Sequence, residues 1–344
     1  MAFIRKHKKS LLYGAGLLLL VLLVWRTDHR KILEAARNLE AWQLAVLLAF
    51  QVVTIFLLAL QWYVTARHMK QDIALSHLVE MQMTGTFFES VTPAAKTGGE
   101  AYRVLYLRHK GYETVRSGAL VTAQKMISMT AFVSVVSVSV FFFIFQAGFE
   151  AQTRQWVVGL YGLFMLLILG TFFFATRLIG GKKVPRLLSR YETAIQHTRR
   201  TFKKSLSPLS KQKHYLLVNL LIGYLIWLLY GFKAFFLLSV FGVDVGFFAV
   251  ALSVYIAYMV GMLPLTPGGL GTLEATFVVL LSGFGVLGPV ALVVVLTMRL
   301  ATFWFSLLVS VIYLFIAKIF GRRITPFESS GPTPSNLEPK KVLE

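Results

Sequence analysis

Long apolar runs alternate with short charged segments along this chain, and within the runs apolar positions follow one another without the period of a half-buried strand or a one-faced helix. Runs at about 10–25, 42–66, 126–147, 156–176, 215–241 and 289–317 approach or exceed the roughly 17–25 residues that a helix needs to cross about 30 Å of hydrocarbon. They predict an all-α, polytopic membrane protein of about six full spans. Two further apolar stretches, 76–93 and 245–287, are interrupted or bounded by Pro and Gly, and Glu80, Glu89, Glu100 and Glu274 lie in or beside them. Such segments predict re-entrant or broken-helix hairpins, tolerated where protein or a polar cavity covers the freed backbone groups. A single membrane domain at 1–320 is expected, followed at 321–344 by a polar cytoplasmic tail of disordered composition.

Composition sharpens this picture. The 344 residues are 56% hydrophobic with a mean hydropathy of +0.68, above the roughly 45–50% apolar content of a soluble domain. The net charge of +20 reads as topology before it reads as nucleic-acid binding. Eleven of the 35 Lys and Arg lie in one loop, 177–213, which holds a single acid, Glu192. That bias places the loop and both termini in the cytoplasm of a multi-pass cell-membrane protein, and the loop is expected to rest on anionic headgroups. No nucleic-acid partner is implied. Arg5, Lys6, Lys8 and Lys9 before the first apolar run mimic a signal peptide, but Trp25-Arg26 stands where small residues would be needed for cleavage, so the run is read as a retained helix. Trp25, Trp42 and Trp156 sit at run ends as interface anchors. With no cysteine and no metal-ligand spacing among seven histidines, neither metal nor cofactor is called for. No Gly-x4-Gly-Lys-Ser/Thr loop is present to take ATP.

The chemistry concentrates in a pair of matching segments, TPAAKTGGE at 92–100 and TPGGLGTLE at 266–274, separated by 174 residues. The same offset carries Lys125 onto Arg299, each 25 residues after its Glu. The chain thus reads as an internal repeat, about 10–147 and 156–318. Three spans separate the two hairpins, so the repeats are expected to be inverted in the membrane. Inverted repeats with interrupted segments at corresponding positions point to a transport site near the midplane.

Pro and Gly end helices inside the membrane and leave backbone N–H and C=O groups open to a polar ligand. A helix restarting after the Gly cluster aims its N–H groups and positive dipole end at the break, where an anion is favoured. Lys125 and Arg299 add full charge, with Glu100 and Glu274 as counter-ions in an empty site; ionisable groups at this depth are functional candidates by default. Each has a plainer reading: Arg299 as a structural mate of Glu274, Lys125 as a residue near a helix start that snorkels, Glu100 and Glu274 as carboxylates complementing a helix dipole. Glu89 is placed in the same cavity and Glu80 at the interface. Lys233 has no charged mate, since the offset places it on Ala59, and is expected to snorkel.

These residues also carry a resemblance. VTPAAKTGGEAYRVLYLRHKGY at 91–112, the later Lys125, and LPLTPGGLGTLEA at 263–275 resemble the flippase-like domain that forms the membrane part of lysylphosphatidylglycerol synthase and occurs alone in other proteins. The likeness covers about residues 10–320. It implies translocation of a lipid with a polar headgroup and maps the cavity onto Lys96, Gly98, Gly99, Glu100, Arg103, Lys125, Pro267, Gly268, Gly269, Glu274 and Arg299, to which the residue reading adds Glu89, Thr92, Pro93 and Thr266. The chain ends shortly after its last run with no aminoacyl-transfer domain, so it is expected to move a lipid without making it. The implied partners are membrane lipids: an anionic or aminoacylated phospholipid, or a polyprenyl phosphate. The competing readings are a secondary transporter of a small soluble anion and a membrane-embedded lipid-modifying enzyme. The latter needs a nucleophile with a base in reach, which the pattern does not supply, so no catalytic residue is assigned.

Overall fold

A computed structural model describes residues 39–91, 97–145, 150–180, 192–207, 212–263, 266 and 269–320. The expected span at 10–25 and the tail at 321–344 lie outside the described residues. Within them the protein is all-helical: α1 (Ala41–His68), α2 (Leu75–Val91), α3 (Thr97–His109), α4 (Thr114–Phe145), α5 (Ala151–Gly180), α6 (Glu192–Leu206), α7 (Lys213–Val240), α8 (Phe247–Met262), α9 (Thr272–Gly283), α10 (Gly288–Arg299), a π-helical turn (Leu300–Phe305) and α11 (Ser306–Ile319). Five stretches among the described residues are long and apolar enough to cross a membrane: α1, α4, the Ala151–Thr171 part of α5, α7, and Gly288–Ala317, which runs through α10 and the π turn into α11. They coincide with five of the six expected spans, with one shift. The helix expected at 126–147 begins at Thr114, because polar Thr122, Gln124 and Lys125 do not interrupt it.

The two interrupted stretches become helix pairs. α2 and α3 have 17 and 13 residues, α8 and α9 have 16 and 12; at 1.5 Å per residue each arm is about 18–26 Å long, short of the ~30 Å hydrocarbon. Glu80–Lys110, Phe88–Tyr102 and Glu89–Arg103 meet in opposite sequence sense, so α2 and α3 are antiparallel. Close approach of the arms depends on glycine. A Cβ on Gly99 would strike the Glu89 side chain and the Gly85 carbonyl, and a Cβ on Gly269, which also has φ +69°, would strike the Gly261 backbone.

Each hairpin has its own apolar core, and the cores lie at opposite ends of the long helices. Around α2 and α3, Trp62 and Ala66 come from the C-terminal half of α1 and Ala119, Leu120 and Ala123 from the N-terminal part of α4. Around α8 and α9 the halves exchange: Leu47 comes from the start of α1, and Val136, Val140 and Phe143 from the end of α4. The order of elements also recurs. Helices of 28, 17 and 13 residues and the long α4 are followed by helices of 28, 16 and 12 and a continuous stretch of α4's length from Gly288 to Ile319. The turns after α3 and α9 both place a glycine at positive φ, Gly111 at 89° and Gly285 at 86°, again 174 residues apart.

The basic segment at 177–213 contains a helix that its charge conceals, α6. Phe202 and Leu206, one turn apart on α6, pack against the core of the first hairpin, while Arg200, Lys203 and Lys204 are exposed.

Candidate functional site

Both charged pairs expected from the repeat form. In the second half, Arg299 at the end of α10 donates from Nε to Glu274 Oε1 at 2.6 Å, with the side chains 7% and 1% exposed. The fold-back that this needs is supplied by the turn at 284–287, where Gly285 has positive φ and Pro289 opens α10. The other oxygen of Glu274 accepts the backbone N–H of Gly271 at 2.8 Å, so one carboxylate both caps its own helix and neutralises the cation. The guanidinium also lies over the Phe303 ring, 4.6 Å from its centre. Phe303 belongs to the π turn that follows Arg299, an irregularity common at functional positions. At the break, Thr266 and Thr272 share a hydroxyl hydrogen bond of 3.1 Å.

In the first half, Lys125 Nζ stands 3.2 Å from Glu100 Oε1. It is not near a helix start, since eleven residues of α4 precede it. Arg103 joins this pair to another acid. It meets Glu89 through both guanidinium nitrogens, Nη1 to Oε1 at 3.3 Å and Nη2 to Oε2 at 3.1 Å, and Glu100 at 3.7 Å. The fork-to-fork geometry suits a planar guanidinium and would be lost with lysine. Arg103 is buried, resting over Gly85 and facing the Trp62 ring at 5.5 Å. The result is a four-membered chain of alternating charge, Glu89–Arg103–Glu100–Lys125. It is more open than its counterpart: the Lys125 side chain is 38% exposed and that of Glu100 22%.

Tyr230 on α7 and Tyr258 on α8 pack edge to face with ring centres 5.0 Å apart, and the Tyr258 hydroxyl donates to Thr302 of the π turn at 3.3 Å. Neither tyrosine was singled out by the sequence, because an aromatic residue in an apolar run carries no charge signal. Gly98, Gly99 and Gly269 sit at the helix restarts as expected. Thr92, Pro93, Lys96, Pro267 and Gly268 lie outside the described residues.

Lys233 departs from expectation. It does not snorkel: its side chain is fully buried between α1 and α7, donating to Gln51 Oε1 at 2.6 Å and Thr54 Oγ1 at 3.0 Å, with the Tyr230 ring 4.3 Å away. Gln51 is in turn fixed by Ser306 at the end of the π turn, at 2.8 Å. Three neutral groups therefore do what a carboxylate does for Arg299. Glu80, expected at the interface, is also buried, beside Lys110.

Five helical stretches among the described residues, long and apolar enough to cross a membrane and with charged side chains held in pairs among them, define a polytopic all-helical membrane protein. The chain belongs to the family described as the lysylphosphatidylglycerol synthase TM region, which matches residues 10–310 and is associated with lipid handling. It is similar to UPF0104 membrane proteins of Methanothermobacter thermautotrophicus (23% identity over 321 residues, 87% of this chain and 92% of the relative) and Pyrococcus horikoshii (22% over 317 residues, 86% and 93%). A third, from Archaeoglobus fulgidus, is 26% identical over 261 residues, 71% of this chain and 77% of its own.

Proposed function

We propose that the protein is a lipid flippase or scramblase, which passes a polar headgroup between leaflets by way of the Glu100–Lys125 and Glu274–Arg299 pairs while the acyl chains stay in lipid. The observation that carries this reading is the repeated pairing of a helix-start glutamate with a cation 25 residues later, Glu100 with Lys125 and Glu274 with Arg299. An anionic headgroup would compete with the glutamate for the cation, and the displaced carboxylate takes up a proton as the headgroup enters, so that the net charge of the site is unchanged and no ion is left bare in hydrocarbon. The hairpins pack at opposite ends of α1 and α4, which supports an inverted repeat with one hairpin entering from each face. Membership in a family associated with lipid handling favours a lipid over a soluble anion. The substrates this reading admits are an anionic or aminoacylated phospholipid and a polyprenyl phosphate. The chain acts as a carrier and not as an enzyme.

The test is reconstitution. Purified protein in liposomes should move a fluorescent anionic phospholipid, an aminoacylated one or a polyprenyl phosphate between leaflets faster than protein-free liposomes do. Folded protein that moves none of these yet takes up a soluble anion would instead establish the secondary-transporter reading.

A further inference from the structure

Lys125 and Arg299 are equivalent under the 174-residue offset, but the residues that follow them are not. After Lys125 the helix continues, and 126–131 are α-helical within α4. After Arg299 the equivalent residues, 300–305, form the π turn. The repeat is broken at a second place, where Lys233 falls on Ala59. The two departures are joined. At the end of the π turn the Ser306 hydroxyl accepts from Gln51 Nε2 of α1 at 2.8 Å, and Gln51 Oε1 accepts from Lys233 Nζ at 2.6 Å. Within the turn the Thr302 hydroxyl donates to the Met298 carbonyl at 2.9 Å, which leaves it a lone pair for the Tyr258 hydroxyl of α8. Tyr258 packs on the edge or face of Tyr230, and the Tyr230 ring meets Lys233 Nζ at 4.3 Å. Two routes, one through an amide and one through two aromatic rings, thus run from the turn to a single ammonium.

A π turn is rare beside the regular helix, so it persists where its surroundings hold it. A fully buried ammonium whose hydrogen-bond acceptors, Gln51 and Thr54, are both neutral is a costly way to join two helices. A charged donor, however, satisfies an amide oxygen and an aromatic face at once, which a neutral side chain does not. We propose that Lys233 is a positioning residue for Arg299: it holds the π turn through Gln51 and through the Tyr230–Tyr258 pair, and the turn so held aims the guanidinium at Glu274. With α11 packed against α2, a turn that relaxed toward α-helical register would rotate Arg299 by up to about 100° about the axis, one residue's share, and off Glu274. Lys125 needs no such brace, because it is followed by unbroken α-helix. The consequence of Lys233 for headgroup exchange rests on the transport reading; the placement of Arg299 does not.

The test measures the coupling between Arg299 and Glu274 in two backgrounds of the full chain. Arg299→Met, Glu274→Gln and their combination are unfolded by titrated SDS in mixed micelles, first with Lys233 present and then in Lys233→Met. The coupling constant of the pair should fall about tenfold in Lys233→Met, the contribution of one charge-assisted hydrogen bond no longer in line. A lysine that only braced α1 against α7 would lower the stability of all four proteins alike and leave the coupling unchanged, and that result overturns the proposal. Ser306→Ala combined with Thr302→Val gives a milder background, which keeps Lys233 with Gln51, Thr54 and Tyr230 and cuts the ties at the turn itself. The same fall in coupling is expected there, and where Lys233→Met is too unstable to titrate, unchanged coupling in this background overturns the proposal. Lipid movement in liposomes separates the two readings. Coupling that depends on Lys233 in a protein that moves no lipid sinks the transport reading alone, and coupling indifferent to Lys233 in a protein that moves lipid sinks the positioning role alone.

Discussion

Replacing Arg299 with Met keeps the bulk of an apolar helix position and removes a charge, which would suit a transport test if the residue stood free. It does not stand free. Glu274, 1% exposed, would keep the Gly271 N–H and lose its only cation at salt-bridge distance among the described residues. Removing one partner of a buried pair costs about 3–5 kcal/mol because the survivor is left uncompensated, whereas replacing both is often near neutral. Arg299→Met should therefore destabilise the fold by about 3–5 kcal/mol, and Glu274→Gln by a similar amount, eased by the Phe303 ring against the stranded guanidinium. The double variant should recover most of either loss, since the side-chain amide oxygen introduced by Glu274→Gln still accepts the Gly271 N–H. Unfolding by titrated SDS in mixed micelles measures all four proteins of this cycle, and the same proteins in liposomes report lipid movement. A folded double variant that moves no lipid assigns the pair a transport role. Single variants that each cost under about 1 kcal/mol, with a double that merely adds them, would show the pair contributes nothing to the fold.

Three further outcomes follow from neighbouring geometry. Lys233→Met should cost less than Arg299→Met in the same titration, because it strands two neutral acceptors, Gln51 and Thr54, and no opposite charge. Lys125→Met should slow lipid movement in liposomes at a stability cost of about 1 kcal/mol or less, since its partner is partly exposed and keeps Arg103 as a second cation. Gly99→Ala should cost about 1–3 kcal/mol by pushing α3 off α2, and should also disturb the Glu89–Arg103 fork, while Gly118→Ala, whose added methyl meets nothing, should not destabilise; thermal melting of the purified proteins separates them.

The spans were legible because an uninterrupted apolar run has one economical solution in a bilayer. The breaks between the short helices were legible because Thr-Pro recurs with a glutamate eight residues later and glycines between, and the pairs because a cation recurs at the same 174-residue offset. What could not be read has a common cause: it depends on neutral atoms or on register across a hairpin. Lys233 looked destined for the interface because its partners are an amide, a hydroxyl and an aromatic face, none of which carries a charge to match by eye. Arg103 was assigned through resemblance, but its fork with Glu89 follows from antiparallel register between α2 and α3. The helix α6 was hidden because its positive charges read as topology before the Phe202 and Leu206 spacing read as a face. The start of α4 was placed too late because Thr122, Gln124 and Lys125 lower the apparent hydropathy of the span that holds them.

The direction of the second hairpin decides between an inverted and a parallel repeat, and the chain lends itself to the test because it contains no cysteine. Glu113 and Leu287 are equivalent under the 174-residue offset; both are exposed and both lie in the turn that leads from the third helix of a repeat into its long fourth helix. Between them the chain runs through α4, α5 and α7, each long and apolar enough to cross, and then through α8 and α9. The 12 residues of α9 reach about 18 Å and cannot cross alone, and α8 is also too short. If α8 and α9 return as a hairpin, three crossings separate the two positions and they face opposite sides. If α8 and α9 instead stack end to end as one broken span, there are four crossings and the positions share a side. Single-cysteine variants Glu113→Cys and Leu287→Cys in sealed inside-out and right-side-out vesicles, treated with a membrane-impermeant thiol reagent, separate these cases. Reciprocal labelling, Glu113→Cys from the cytoplasmic face and Leu287→Cys from the other, is the expected result, because Leu47 and Phe143 on the second hairpin's core and Ala66 and Ala119 on the first's lie at opposite ends of α1 and α4. Labelling of both variants from one face would remove the inverted repeat, and with it the argument that Glu100–Lys125 and Glu274–Arg299 approach one headgroup from opposite leaflets.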